Sequence, residues 1–135
     1  DVLAAFLVRG ESGGVLGTAA FGAGALEAGA DYLPGLTGSS FVLRATAPKR
    51  SVGKVEDALI AELSALALRL ADGDTAGFSD ELAAAKAVVL AAEKSRRATV
   101  SGEAQYLATL STLNAETDAE RYADRVRAVG FPDLL

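Results

Sequence analysis

Residues 51 to 71 read "SVGKVEDALIAELSALALRLA", and in them Val55, Leu59, Leu63, Leu66 and Leu70 recur at steps of four and three. That spacing lays one apolar stripe along a helix of roughly five turns. A stripe of that length must be covered, so the rest of the chain has to supply a surface to pack on it. Asp72, Gly73 and Asp74 stop the helix.

Everything after this stop also reads helical. The second helix begins near Ser79, which is the expected N-cap, and Asp80 and Glu81 sit at its positive dipole end. Glu93 and Arg97 are spaced for an ion pair one turn apart. A third helix carries Tyr106, Leu107 and Leu110. A fourth opens on a Thr117/Glu120 capping box and presents Tyr122, Val126 and Val129 on one side before Gly130 and Pro132 end it. Alanine and leucine supply most of the apolar half of the composition, and both are strong helix formers.

The first fifty residues read differently. "VLAAFLV", residues 2 to 8, has the length of a buried strand, although its periodicity is equally open to a helix. "VLGTAAFGAGALEAGA", residues 15 to 30, is expected to be a helix with Val15, Ala19, Gly22 and Leu26 along one face, weakened by its glycines. "DYLPGLTGSS", residues 31 to 40, reads as a turn region. "SFVLRATAP" alternates cleanly: Phe41, Leu43 and Ala45 on one face, Val42, Arg44 and Thr46 on the other, so it is a strand with one wetter side. The expectation is one partial domain over residues 1–135, with a strand-helix-strand region at 1–50 and a four-helix region at 51–135.

Several function classes are disfavoured. The net charge is −5, which does not suit nucleic-acid phosphates as the main partner. Absence of cysteine removes disulfide and thiol chemistry, and absence of histidine leaves only carboxylates to hold zinc. Ser39 and Ser40 have no histidine to act as base. Gly22 and Gly24 begin a G-x-G-x-x-G pattern, but Glu27 stands at its last position. Carboxylates at Glu81, Glu93, Glu103, Glu116, Glu120 and Asp124 lack metal-loop spacing and read as helix surface. Basic clusters at Arg44, Lys49, Arg50 and Lys54, and at Lys94, Arg96 and Arg97, read as solvated turns. The Gly/Ala-rich residues 12 to 30 are too weakly apolar for a membrane span. A start at Asp1 rather than methionine suggests a processed chain or a piece of a longer one.

The order of these elements resembles the later part of a domain of the insulinase/pitrilysin peptidase superfamily, which includes the mitochondrial processing peptidase and the core proteins of the respiratory cytochrome bc complex. The likeness rests on "GSSFVLRATAPKRSVGKVEDALIAEL", on "AGFSDELAAAKAVVLAA" with Glu81, Leu82, Ala85 and Lys86, on "SGEAQYLATL", and on "ERYADRVRAVGFPDLL" with Val126, Val129, Asp133 and Leu134. It covers residues 38 to 135. It implies an α/β (α+β) sandwich: an antiparallel sheet packed on one face by several helices, with a helix-rich C-terminal half.

The family's zinc motif, H-x-x-E-H with a distant Glu, has no match in this chain. "GALEAGADY" resembles the family's substrate-holding "L-R-E-x-x-G-L-A-Y": Glu27, Gly29 and Tyr32 match in type, and Ala25 stands in place of the arginine. Tyr32 is therefore a candidate substrate-contact remnant, weighed against a plain strand-edge core aromatic. The resemblance implies a non-catalytic structural or assembly subunit like a core protein of mitochondrial complex III. Such a subunit needs no cofactor and no metal, sits on the matrix side of the inner membrane, and packs on a second homologous core-type or peptidase subunit. The alternatives are a substrate-holding partner or C-terminal piece of a zinc peptidase, soluble and bacterial in one version, and an unrelated helical interaction module.

Overall fold

The computed structural model describes residues 1–10, 13–33, 40–112 and 121–134. Their order is α1 (Val2–Leu7), α2 (Val15–Gly22), β1 (Glu27–Leu33), β2 (Ser40–Thr46), α3 (Val52–Ala71), α4 (Ser79–Arg97), α5 (Val100–Thr112), α6 (Tyr122–Ala128) and a final 3-10 turn, Phe131–Leu134. The class is α+β, with an antiparallel hairpin and a helix-rich C-terminal half. The four helices expected after residue 51 are all present. The turn centred on residues 34–38 and the Thr117/Glu120 box lie outside the described residues.

The first fifty residues depart from strand-helix-strand. Residues 2–7 form a helix, not a strand. Val2, Phe6 and Leu7 fall on one helical face and are buried, while Ala4 and Ala5 favour the helical backbone. This helix packs on α4. The second departure is at α2, which ends at Gly22 instead of running to residue 30. Gly24 takes φ +103° behind Ala23, its N–H bonds to Phe21 O at 3.0 Å, and Ala25 N–H bonds to Ala20 O at 2.9 Å. These bonds make a Schellman stop, which needs glycine at the left-handed position. The same arrangement closes α3 at Gly73, with Gly73 N–H on Leu70 O and Asp74 N–H on Arg69 O.

Residues freed by the early stop build β1, which takes in part of the expected turn region. β1 pairs antiparallel with β2, with Ala30 opposite Leu43 and Tyr32 opposite Phe41. One face of the hairpin carries Ala28, Ala30, Phe41, Leu43 and Ala45 and turns to the helices. The other carries Glu27, Asp31, Arg44 and Thr46, where Arg44 pairs with Asp31 and Thr46 donates to Glu27. Gly29 sits opposite Arg44, and a Cβ there would lie 2.9 Å from Arg44 Nε, so the glycine lets the arginine lie across the strand.

Two apolar clusters hold the layers together. The larger joins Phe6, Leu16, Leu66, Leu70, Phe78, Leu82, Ala85, Val89 and Val126. The smaller joins Ala20, Ala25 and Val55. The α3 stripe is thus shared: Val55 goes to the small cluster and Leu66 and Leu70 to the large one, with Leu63 left 40% exposed between them. Ser79 is not the N-cap of α4. That place is taken by Phe78, with no side-chain cap bond. Phe78 is drawn inward by an edge-to-face contact with Phe6 at 6.0 Å and lies under the Arg69 guanidinium at 4.2 Å, which advances the helix start by one residue.

Candidate functional site

Tyr32 lies on β1 and is 48% exposed, so it is not a core aromatic. It shares the sheet's apolar face with Phe41, whereas Glu27 and Gly29 are on the opposite face. Ala25 precedes the strand and is buried against Ala20 and Val55. The hairpin therefore does not bring the four positions together into one cluster.

The other residues matched by the family resemblance hold structure. Arg9 reaches Glu81 at 2.7 Å and also donates to the Glu81 carbonyl, which ties the α1–α2 connection to the first turn of α4. Leu82 and Ala85 are in the core. Lys86 donates to the Arg127 carbonyl at 3.0 Å, satisfying the end of α6. Asp133 accepts from Gly130 N–H at 2.7 Å. Among the described residues no group of three or more Asp, Glu, His or Cys side chains is placed to hold a metal ion.

Glu93 and Arg97 do not pair with each other. Arg97 bonds to Glu103 on α5 at 2.9 Å, which holds the arginine's pKa above its ordinary value, while Glu93 turns inward. Its carboxylate oxygens and the Tyr106 hydroxyl are buried against each other, and the carboxylate favours the protonated phenol. Arg96, 3.5 Å from Glu93, also lies over the Tyr106 ring at 5.4 Å. Sequence reading missed this cluster, because a glutamate in a helix looks like surface. The only signal was its place one turn past Val89, on the buried face of α4.

Two predictions follow from the cluster. Glu93→Leu removes a buried charge that is weakly compensated by an exposed arginine. It is expected to raise stability by about 1–3 kcal/mol, read as a higher urea midpoint; a lower midpoint would show that the carboxylate is needed. The second concerns alkaline pH. Burial first, and the Glu93 charge second, push the pKa values of Tyr106 and Tyr122 above the ordinary 10.0. The folded chain then holds the phenolic protons more tightly than the unfolded chain. This contribution to stability is whole below pH 10.0 and falls as pH rises from there through the raised values. Thermal melts at rising alkaline pH should show a falling Tm, and absorbance titration should show phenolate forming late; a flat Tm through that window would contradict it.

A groove runs between β2 and α3. The two elements stand apart, and an apolar cavity of about 350 Å³ lies between them, lined by Leu43, Ala45, Val52, Leu59, Ile60 and Leu63. A second cavity of about 230 Å³ shares Leu43 and Leu63 and continues towards Phe41, Leu66, Leu70 and Leu134. Ile60 is 58% exposed and Val52 49%. Among the described residues β2 pairs only with β1, so its outer edge carries unpaired backbone groups beside the groove. Exposed apolar grooves and open strand edges are features that contact surfaces share. No described helix is long and apolar enough to cross a membrane. Compared with protein-family models, curated proteins and solved structures, the chain finds no match.

Proposed function

We propose that the chain is a non-catalytic structural or assembly subunit that docks on a second domain through the β2–α3 groove. The observation that carries this reading is the groove itself: large apolar side chains of α3, exposed in a row, facing a strand whose outer edge has no partner among the described residues. The engagement of Glu81, Lys86 and Asp133 in structural bonds supports the same reading. In its most specific form, the resemblance to core proteins makes the partner a second core-type subunit of complex III on the matrix side of the inner membrane. The test is native mass spectrometry of the chain isolated from its source, with the partner identified by sequence. A large membrane assembly with a second core-like subunit is the expected result. Recovery with a partner carrying H-x-x-E-H and bound zinc would instead make the chain the substrate-holding half of a peptidase.

A further inference from the structure

We infer that α5 is a hinged lid: it opens as a unit from the corner at residues 98–99 while the rest of the fold stays closed, and when shut it walls one side of the cleft between α1 and α6. This is independent of the groove and of the docking reading.

The lid is lightly held. Of the 13 residues of α5 only Tyr106 is buried, whereas α4 buries Leu82, Ala85, Val89 and Glu93. Val100 is 90% exposed and Leu107 44%. Among the described elements α5 packs chiefly on α4. Its other ties to α4 are polar. The Tyr106 hydroxyl lies against the Glu93 carboxylate, the Arg96 guanidinium sits over the Tyr106 ring at 5.4 Å, and Arg97 donates to Glu103 at 2.9 and 3.2 Å. Arg97 and Glu103 both reach water, so their pair adds little and salt screens it. One buried ring and one screened pair let a helix open far more often than the core unfolds.

The corner is built to separate the two helices. The last bond of α4 runs from Ala98 N–H to the Ser95 carbonyl. Thr99 then starts α5 by itself, its Oγ1 accepting from Gly102 N–H at 3.1 Å and its carbonyl from Glu103 N–H at 2.9 Å. Gly102 is what allows closure. A Cβ there would overlap the Arg96 carbonyl oxygen and lie 2.8 Å from Thr99 Oγ1, and the first of these is backbone. At the other end of the lid, Leu110 lines a cleft of about 710 Å³ together with Val2 and Leu3 of α1 and Tyr122 and Val126 of α6. Swinging α5 out removes the Leu110 wall and opens the cleft from that side.

Hydrogen exchange read by mass spectrometry on the whole chain tests this. A helix of this length is marginal once released, so its amides exchange whenever the lid opens. Residues 103–111 should exchange together, at least about a hundredfold faster than the core residues of α4. Raising salt to about 1 M, or making Glu103→Gln, should speed them about two- to fivefold. Gly102→Ala should speed them at least about tenfold although alanine is the better helix former, and should leave α1 and α4 unchanged. Hydroxyl-radical labelling of that variant should rise at Tyr106 and at Val2 and Val126 together. Protection of α5 equal to that of α4 overturns the inference, as do rates graded back from Thr112, which mean end fraying. So does exchange indifferent to both salt and Glu103→Gln, or labelling that rises at Tyr106 alone. If Gly102→Ala loosens the whole chain equally, α5 belongs to the core and the lid falls; the salt series on the unaltered chain decides the matter without that variant.

Discussion

Phe6→Ala is expected to cost about 3–5 kcal/mol, enough to leave much of the chain unfolded at 37 °C. Phe6 is fully buried on α1, touches Phe78 edge to face, and belongs to the cluster formed with Leu16, Leu82 and Ala85. Removing the ring deletes its burial and leaves a cavity that the short helix is poorly placed to close. It also frees Phe78, whose inward position sets the start of α4. Circular dichroism with urea unfolding reads the loss; a cost below about 1 kcal/mol would mean that α1 is not part of the core.

Gly14→Ala is expected to cost about 3 kcal/mol or more, although it adds one methyl group. Gly14 is buried with φ +82° and ψ 161°, a conformation open essentially to glycine alone. A Cβ there would sit 2.6 Å from the Leu7 carbonyl oxygen and 2.9 Å from Val8 N, both rigid backbone. Gly22→Ala is the contrast. Gly22 is exposed and helical, with nothing within 4 Å of its Cβ position, so alanine should stabilise by about 0.5–1 kcal/mol. Opposite signs in the urea midpoints of the two variants are the expected result; equal losses would place the strain elsewhere.

Gly14 and Gly24 show what the sequence could and could not disclose. The stretch from residue 12 to 30 looks uniform in composition, and helix propensity alone carries it through to the end. Its division into a turn, a helix and a strand is set by backbone geometry at Gly14 and Gly24, and by the presence of β2 to pair with. Three of the seven residues of β1 are Ala or Gly and two are acidic, all of little strand preference, so its partner specifies it. By contrast β2 was legible because its alternation matches a two-faced strand, and α3 because five apolar positions repeat at helical spacing. The short helix α1 was ambiguous because six residues are compatible with either period; packing on α4 decides it.

The candidate site was less legible than the fold. Tyr32 was picked out by a pattern along the chain, but a strand separates odd and even positions, and Glu27 and Gly29 end up across the sheet from it. The groove could not be read at all. Its residues come from β2 and α3, which are both plainly encoded, yet nothing in either pattern states that the two elements stand apart. The hairpin excludes an all-helical bundle as the architecture.

The account stands most directly on the exchange rate of the β2 amides. Hydrogen exchange read by mass spectrometry should compare the isolated chain with the chain in its native assembly. Marked slowing across Ser40–Thr46, with smaller slowing around Ile60 and Leu63, is the result expected if a second domain closes the groove. Unchanged exchange in β2, with protection appearing on another surface or nowhere, would contradict docking through this face.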